Sequence, residues 1–197
     1  RDTALLKKNY REQLGFLQIN DGDTVIDVGT SSGAYIGVLN VVGSFKNVHF
    51  ILVDIDSNCL NTTKVNNMIS YYEGLSGTPF SNTFSIINNT PDSLCLPLHL
   101  YTKILLLNTL HEIDNRAAMA RQLATVLKPG GELIVGEIPP YGKRTIHQGC
   151  NKLLMSAETI EDLFTAFGFK LTAKENVQPV PHHKDKHPYY FYRLTKM

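Results

Sequence analysis

"TVIDVGTSSGAY", residues 24–35, decides the fold. Thr24–Val28 is a short run of β-branched and apolar character. It meets two glycines, Gly29 and Gly33, and from Ala34 the apolar residues recur with a helical period. Strand, glycine turn and helix in that order open a βαβ unit, where the turn lets the backbone approach a bound ligand. The dinucleotide fingerprint needs three glycines, G-x-G-x-x-G. This turn has two, with Thr30, Ser31 and Ser32 between them.

Outward from the turn, short apolar runs alternate with amphipathic stretches. An N-terminal helix is predicted within residues 1–20, with Leu6, Tyr10, Leu14 and Leu17 on one face. After the turn, apolar positions 34, 35, 38, 41 and 42 keep a helical period. "VHFILVD" (48–54) is a near-continuous apolar strand, as expected when both faces are covered. Asp56 or Ser57 is placed to cap the next helix, and 71–82 reads as a loop. "TFSIIN" (83–88) and "KILLLNTL" (103–110) are the third and fourth strands. Asp114 is expected to cap a helix that "KPGG" (128–131) stops, and "ELIVGEI" (132–138) is the fifth strand. Ser156 opens a last helix, closed by Gly168. Residues 169–176 and 189–196 are strands with no helix-length segment between them, so they should pair antiparallel.

The 197 residues suffice for one sizeable domain, 1–197. At 43% hydrophobic, 19% charged and a net charge of +1, the composition is that of a soluble globular protein without broad attraction to nucleic acid or anionic membrane. No apolar run reaches the roughly 18 residues of a membrane span. Cys59, Cys95 and Cys150 are far apart, odd in number and lack metal-ligand spacing among themselves. They are expected to be reduced thiols in a cytoplasmic protein, and no metal site is expected.

The polar candidates fall at strand carboxyl ends, where open α/β sheets bind ligands. Asp27 and Gly29 end the first strand and Asp54 the second. Asn88, Asn89 and Asp92 follow the third strand, Asn108, His111 and Glu112 the fourth, and Glu137 ends the fifth. A carboxylate ending the second strand can accept hydrogen bonds from two ribose hydroxyls, in NAD or in S-adenosylmethionine. The turn discriminates between them. A pyrophosphate wants the missing glycine, whereas hydroxyls and a carboxylate suit an amino acid and a sulfonium.

At these residues the chain resembles the class I S-adenosylmethionine-dependent methyltransferases. Asp27, Gly29, Ser31 and Gly33 stand in the frame of that family's D-x-G-x-G-x-G motif, with serine at the middle glycine. "VDIDSNCLNTTKVN", "PDSLCLP", "LLLNTLHEIDNRAAMARQLATVLKPGGELIVGEIPP" and "SAETIEDLFTAFGFKL" extend the likeness over about residues 22–196. It implies a Rossmann-like sheet of seven strands, order 3-2-1-4-5-7-6, the last antiparallel, with helices on both faces. S-adenosylmethionine is the implied cofactor, held by Asp27, Gly29, Thr30, Ser31 and Gly33 along its methionine part. Asp54 would take the ribose. Ile55 would lie beside the adenine, with Asp92 or, alternatively, Asn89 at its edge. Asn108 would border the methyl-donor end.

The implied function is methyl transfer to a small-molecule acceptor. Two other readings stay open: a non-catalytic interaction protein on the same fold, and a nicotinamide-dependent reductase. The latter would need the third glycine and a Tyr/Lys set. His111 and Glu112 stand together, with His111 beside the transferred methyl as a candidate general base, although in the resemblance the Leu-His pair shapes the pocket and the helix start. Residues 139–155, with Tyr141, Lys143, Arg144 and His147, read as an acceptor lid suited to an anionic or aromatic molecule. His147 is the first candidate base and His111 the second. His182, His183, Lys184, Lys186 and His187 form a basic loop between the last two strands.

Overall fold

A computed structural model describes residues 2–177 and 188–197. The chain divides into two compact units, residues 1–95 and 96–197.

In the first unit, α1 (Thr3–Leu17) is capped by Asp2, whose carboxylate accepts from the Ala4 amide at 2.8 Å. β1 (Thr24–Val28) runs parallel to β2 (His49–Asp54), and β2 runs parallel to β3 (Thr83–Asn88). Phe50–Val53 are buried on both faces of β2, as the unbroken apolar run requires. α2 (Ala34–Val42) begins at Gly33, and α3 (Thr62–Ser76) begins at Asn61, whose side chain accepts from the Lys64 amide.

Two expectations are corrected in this unit. Asp56 does not cap α3. It accepts from the Asn58 amide at 2.8 Å and closes a turn ahead of the helix. Nor does the chain become a loop at residue 71, because α3 continues to Ser76. Tyr72 is buried, and its ring occupies the space a Cβ would need at Gly37 of α2. That packing outweighs the low helix propensity of "YYEG". The helix stops one turn later, at Gly77, with φ +73°.

In the second unit, β4 (Tyr101–Leu107) leads to a 3-10 turn (Leu110–Glu112) and α4 (Arg116–Val126). β5 (Leu127–Glu137), α5 (Ala157–Thr165), β6 (Phe169–Asn176) and β7 (Tyr190–Lys196) follow. Asn115, not Asp114, caps α4, accepting from the Ala118 amide at 3.1 Å. "KPGG" is not a clean break between helix and strand; it lies inside the span of β5. Tyr101 pairs with Leu127 and Lys103 with Glu132, so two steps along β4 face five along β5 and the excess bulges out. Ser156 caps α5 as expected, accepting from the Thr159 amide.

β7 runs antiparallel to both β5 and β6. The strand order of the seven-stranded sheet is β3-β2-β1-β4-β5-β7-β6, as expected. Across β4, β5 and β7, Glu132 joins Lys103 at 3.1 Å and Arg193 at 2.8 Å, both cations being nearly buried. Among the described residues no helix is long and apolar enough to cross a membrane.

Candidate functional site

The turn after β1 is held by its own amides. Gly29 and Thr30 donate to the Val53 carbonyl at 2.8 and 3.2 Å, and Gly33 donates to the Thr30 carbonyl at 3.0 Å. Ser31 donates to Asp54 Oδ2 at 2.7 Å. Gly29, Ser31 and Gly33 all have positive φ, at 76°, 53° and 77°. The first and last demand glycine by backbone sterics, and Ser31 carries strain that its bond to Asp54 offsets. A Cβ on Gly33 would come within 3.1 Å of Leu52 Cδ1 and 3.3 Å of Met68 Cε.

Asp54, at the carboxyl end of β2, has its second oxygen fixed by the Asp56 amide at 2.9 Å. Ile55 beside it is 56% exposed, an apolar side chain left in water. Asn89 donates its amide to the Asp54 carbonyl at 3.2 Å, while its own Oδ1 is buried without a hydrogen-bond partner. Asp92 is exposed in the turn that follows. Asp27 is buried and accepts from Thr30 Oγ1 at 2.6 Å. Burial pushes its carboxyl up to about 7. The Thr30 hydrogen bond opposes that rise and the charge of Asp54 adds to it. Asp27, Gly29, Thr30, Ser31, Gly33, Asp54, Ile55, Asn89 and Asp92 all belong to the first unit.

The second unit carries the histidines. Asn108 follows β4 at φ +55°, exposed, and donates its amide to the Gly136 carbonyl at 2.7 Å. The 3-10 turn carries His111, which is fully buried. Arg116 binds the Leu110 and His111 carbonyls and so holds this turn. The partner of His111 is Glu137, not Glu112. Glu137 Oε2 is 2.8 Å from Nδ1, and Oε1 accepts the His111 amide at 3.1 Å. Glu112 stands 3.8 Å from Nε2, beyond hydrogen-bond range. A carboxylate only accepts, so Nδ1 carries the proton of this hydrogen bond and Nε2 is the ring nitrogen left over. That Nε2 is buried and unpartnered.

His147 lies with its ring centroid 4.4 Å from that of His111 and its Nδ1 3.3 Å from Cys150 Sγ. Burial, and then the neighbouring His111 ring, holds its pKa below the ordinary imidazole value. Residues 145–154 form a closed loop. His147 donates its amide to the Lys152 carbonyl, Leu154 donates to Thr145, and Lys152 Nζ reaches Asp114 at 2.7 Å. Tyr141, Lys143, Arg144 and His147 border an open cavity of about 720 Å³. The basic loop with His182, His183, Lys184, Lys186 and His187 lies outside the described residues. The sequence reading brought His111 and His147 forward but gave Glu137 and Cys150 no role. A glutamate inside "LIVGEI" is the signal for Glu137, because a carboxylate in an apolar strand needs a buried partner.

A glycine turn after the first strand and a carboxylate ending the second stand at the carboxyl edge of an open α/β sheet, where such sheets bind ligands. Solved structures share this fold. A methyltransferase from Aquifex aeolicus, described as dependent on S-adenosylmethionine, matches at TM-score 0.71 and 16% identity, covering 99% of each chain. One from Methanosarcina mazei matches at 0.70 and 15%, covering 94% of this chain and 97% of its own. A [4+2]-cyclase matches at 0.64 and 16%, covering 98% of this chain and 79% of its own. No protein of curated function matches the sequence. The family model for a methyltransferase domain matches residues 3–174, and the chain belongs to that family.

Proposed function

We propose that the two units work as one methyltransferase domain, transferring a methyl group from S-adenosylmethionine to a small-molecule acceptor. The observation that carries this reading is the setting of Asp54. Its two oxygens are fixed by the Ser31 and Asp56 amides, and each keeps lone-pair capacity for a ribose hydroxyl. The surroundings fit the rest of that cofactor. Gly33 leaves space a Cβ would fill, Ile55 offers an apolar surface, and the orphaned Asn89 Oδ1 suits a purine amine. Asp92 and Asn108 are the further donor-side candidates. A nicotinamide dinucleotide fits less well, because the amides of Gly29, Thr30, Ser31 and Gly33 already have acceptors and are not free to cradle a pyrophosphate.

When bound, S-adenosylmethionine supplies an electrophilic methyl group on a sulfonium, a leaving group that needs no proton. The chain's own work is positioning and proton handling. Asp27, tied to Thr30, supplies negative potential suited to the cationic amino-acid part. Residues 139–155 serve as the acceptor lid, and Tyr141, Lys143 and Arg144 suit an anionic or aromatic molecule. His147, kept neutral at pH 7, can take a proton from the acceptor, and His111, oriented by Glu137, is the second candidate base.

Calorimetry tests the donor assignment. S-adenosylmethionine and S-adenosylhomocysteine should bind, and NADH and NADPH should not. Asp54→Ala should lose hydrogen bonds worth about 1.5–3 kcal/mol each, at least a tenfold loss of affinity. Equal affinity in wild type and variant would overturn it.

A further inference from the structure

The strongest feature without a role in binding the donor is the approach of three ligand-type side chains from two separate segments. His111 sits on the 3-10 turn after β4, and His147 and Cys150 share the loop after β5. Their donor atoms all lie within 4.8 Å of one another. We propose that His111, His147 and Cys150 bind a zinc-type divalent metal ion.

Three observations support the site. The first is His111 Nε2, which is buried and has no hydrogen-bond partner, on a residue that belongs to that group. An unmatched acceptor of this kind costs stability unless something occupies it. The second is Glu137. A ligand histidine that donates its other N–H to a carboxylate is the usual arrangement around zinc, because the carboxylate fixes the tautomer and raises the basicity of the ligand nitrogen. The third is the loop itself. The His147 carbonyl accepts the Asn151 amide at 3.0 Å, and Asn151 takes φ +58°, so His147 and Cys150 are turned toward each other. Gly149 matters here, since a Cβ would stand 3.2 Å from His147 Cε1.

The donor set also fits the ion. Zinc bonds of about 2.0–2.1 Å to nitrogen and 2.3 Å to sulfur place tetrahedral ligand atoms roughly 3.3–3.6 Å apart. The His147–Cys150 separation of 3.3 Å is close to this, and the separations to His111, within 4.8 Å, need to close by about 1.5 Å at most. Two imidazoles and a thiolate select zinc over magnesium or calcium. Glu112 adds a negative charge beside His111, while Arg144, near His147, works against a cation. Three protein ligands leave a fourth position for solvent or an acceptor group, the pattern of a reactive rather than a purely structural site. On binding, the Cys150 thiol gives up its proton to the buffer as the metal–sulfur bond forms. With the ion in place both imidazoles are ligands and neither serves as a base.

The metal site replaces the base role given above to His147 and His111 but leaves the donor assignment untouched, and its test does not depend on turnover. Full-length protein stripped with a chelator is titrated with ZnCl₂ by calorimetry and with CoCl₂ by absorption. One zinc per chain, proton release, and a thiolate-to-cobalt charge-transfer band are expected. Cys150→Ser should remove the band, and Cys150→Ser and His147→Asn should each weaken zinc binding more than 100-fold. Glu137→Gln, which acts through His111, should weaken it by roughly 10–100-fold. S-adenosylmethionine affinity, measured on the same samples, should stay constant, which separates failure of this site from failure of the donor assignment. Replacing His182, His183 and His187 together by Gln should leave zinc binding intact. No zinc binding, binding indifferent to Cys150→Ser and His147→Asn, or binding lost with the three-histidine replacement would each overturn the proposal.

Discussion

Asp27 is 4% exposed, and burial pushes its carboxyl up to about 7 against an ordinary value of 3.8. An acid whose pKa is raised by folding stabilises the fold fully below its unfolded pKa. That contribution declines as pH rises through roughly 4 to 7 and is gone above the folded value. Asp27→Asn keeps an oxygen for the Thr30 hydroxyl and removes the titration. Relative to the variant, wild type should therefore lose stability between pH 4 and 7 and level off above, as read from urea midpoints at each pH. If donor binding places a cation near Asp27, wild-type affinity should tighten from pH 6 to 8, and the variant should lack that part of the pH dependence. At this scale the sequence was legible where a residue's place follows from the strand it ends or the turn it makes, as for Asp27, Gly29, Gly33 and Asp54. It was not legible where two distant segments meet. His111 has Glu112 next to it in sequence, yet its hydrogen bond goes to Glu137, twenty-six residues on. Cys150 offered nothing when compared only with the other cysteines.

The elements hold together through close approaches that one atom would spoil. Gly33 begins α2 at φ +77° with Leu52 and Met68 just beyond it. Gly33→Ala should cost about 1–2 kcal/mol from the left-handed backbone alone, and Gly33→Val more. Donor affinity should fall along with the denaturation midpoint; a Val variant as stable and as tight as wild type would refute the assignment. Element type was legible almost throughout, because the apolar period of each segment was unambiguous. The ends were not. "YYEG" looks like a breaker until Tyr72 is seen seated over Gly37, a fact of helix-on-helix packing that no local pattern carries. "KPGG" likewise looks like a stop, and the sheet absorbs it as a bulge inside β5.

At the scale of the whole molecule the strand order was legible through the resemblance, and the antiparallel pair through the brevity of the connection before β7. Electrostatics adds a tie the sequence did not announce: Glu132 on β5 serves Lys103 of β4 and Arg193 of β7 together. Burial works against its ionisation, but the hydrogen bonds from Arg193 and Lys103 outweigh it and hold its carboxyl below the ordinary range. Its stabilisation is thus present above the unfolded pKa and lost as pH falls through the folded one. Glu132→Gln should cost about 3 kcal/mol, near the low end for breaking a buried pair because Glu132 is partly exposed. The loss should appear in denaturant melts at pH 7 and shrink toward pH 3. A cost below about 0.5 kcal/mol would mean that the two cations find water instead. The placement of β7 has a further consequence, in the order of events during synthesis. β7 follows every other strand in the chain, yet it sits between β5 and β6. Until Tyr190–Lys196 leave the ribosome, β5 has a bare edge and β6 has no neighbour to join. The nascent chain must therefore carry the apolar edge of β5 and the whole of β6 unpaired for the time it takes to translate from β6 to β7, the interval in which such edges recruit the wrong partner and a chaperone has most to do.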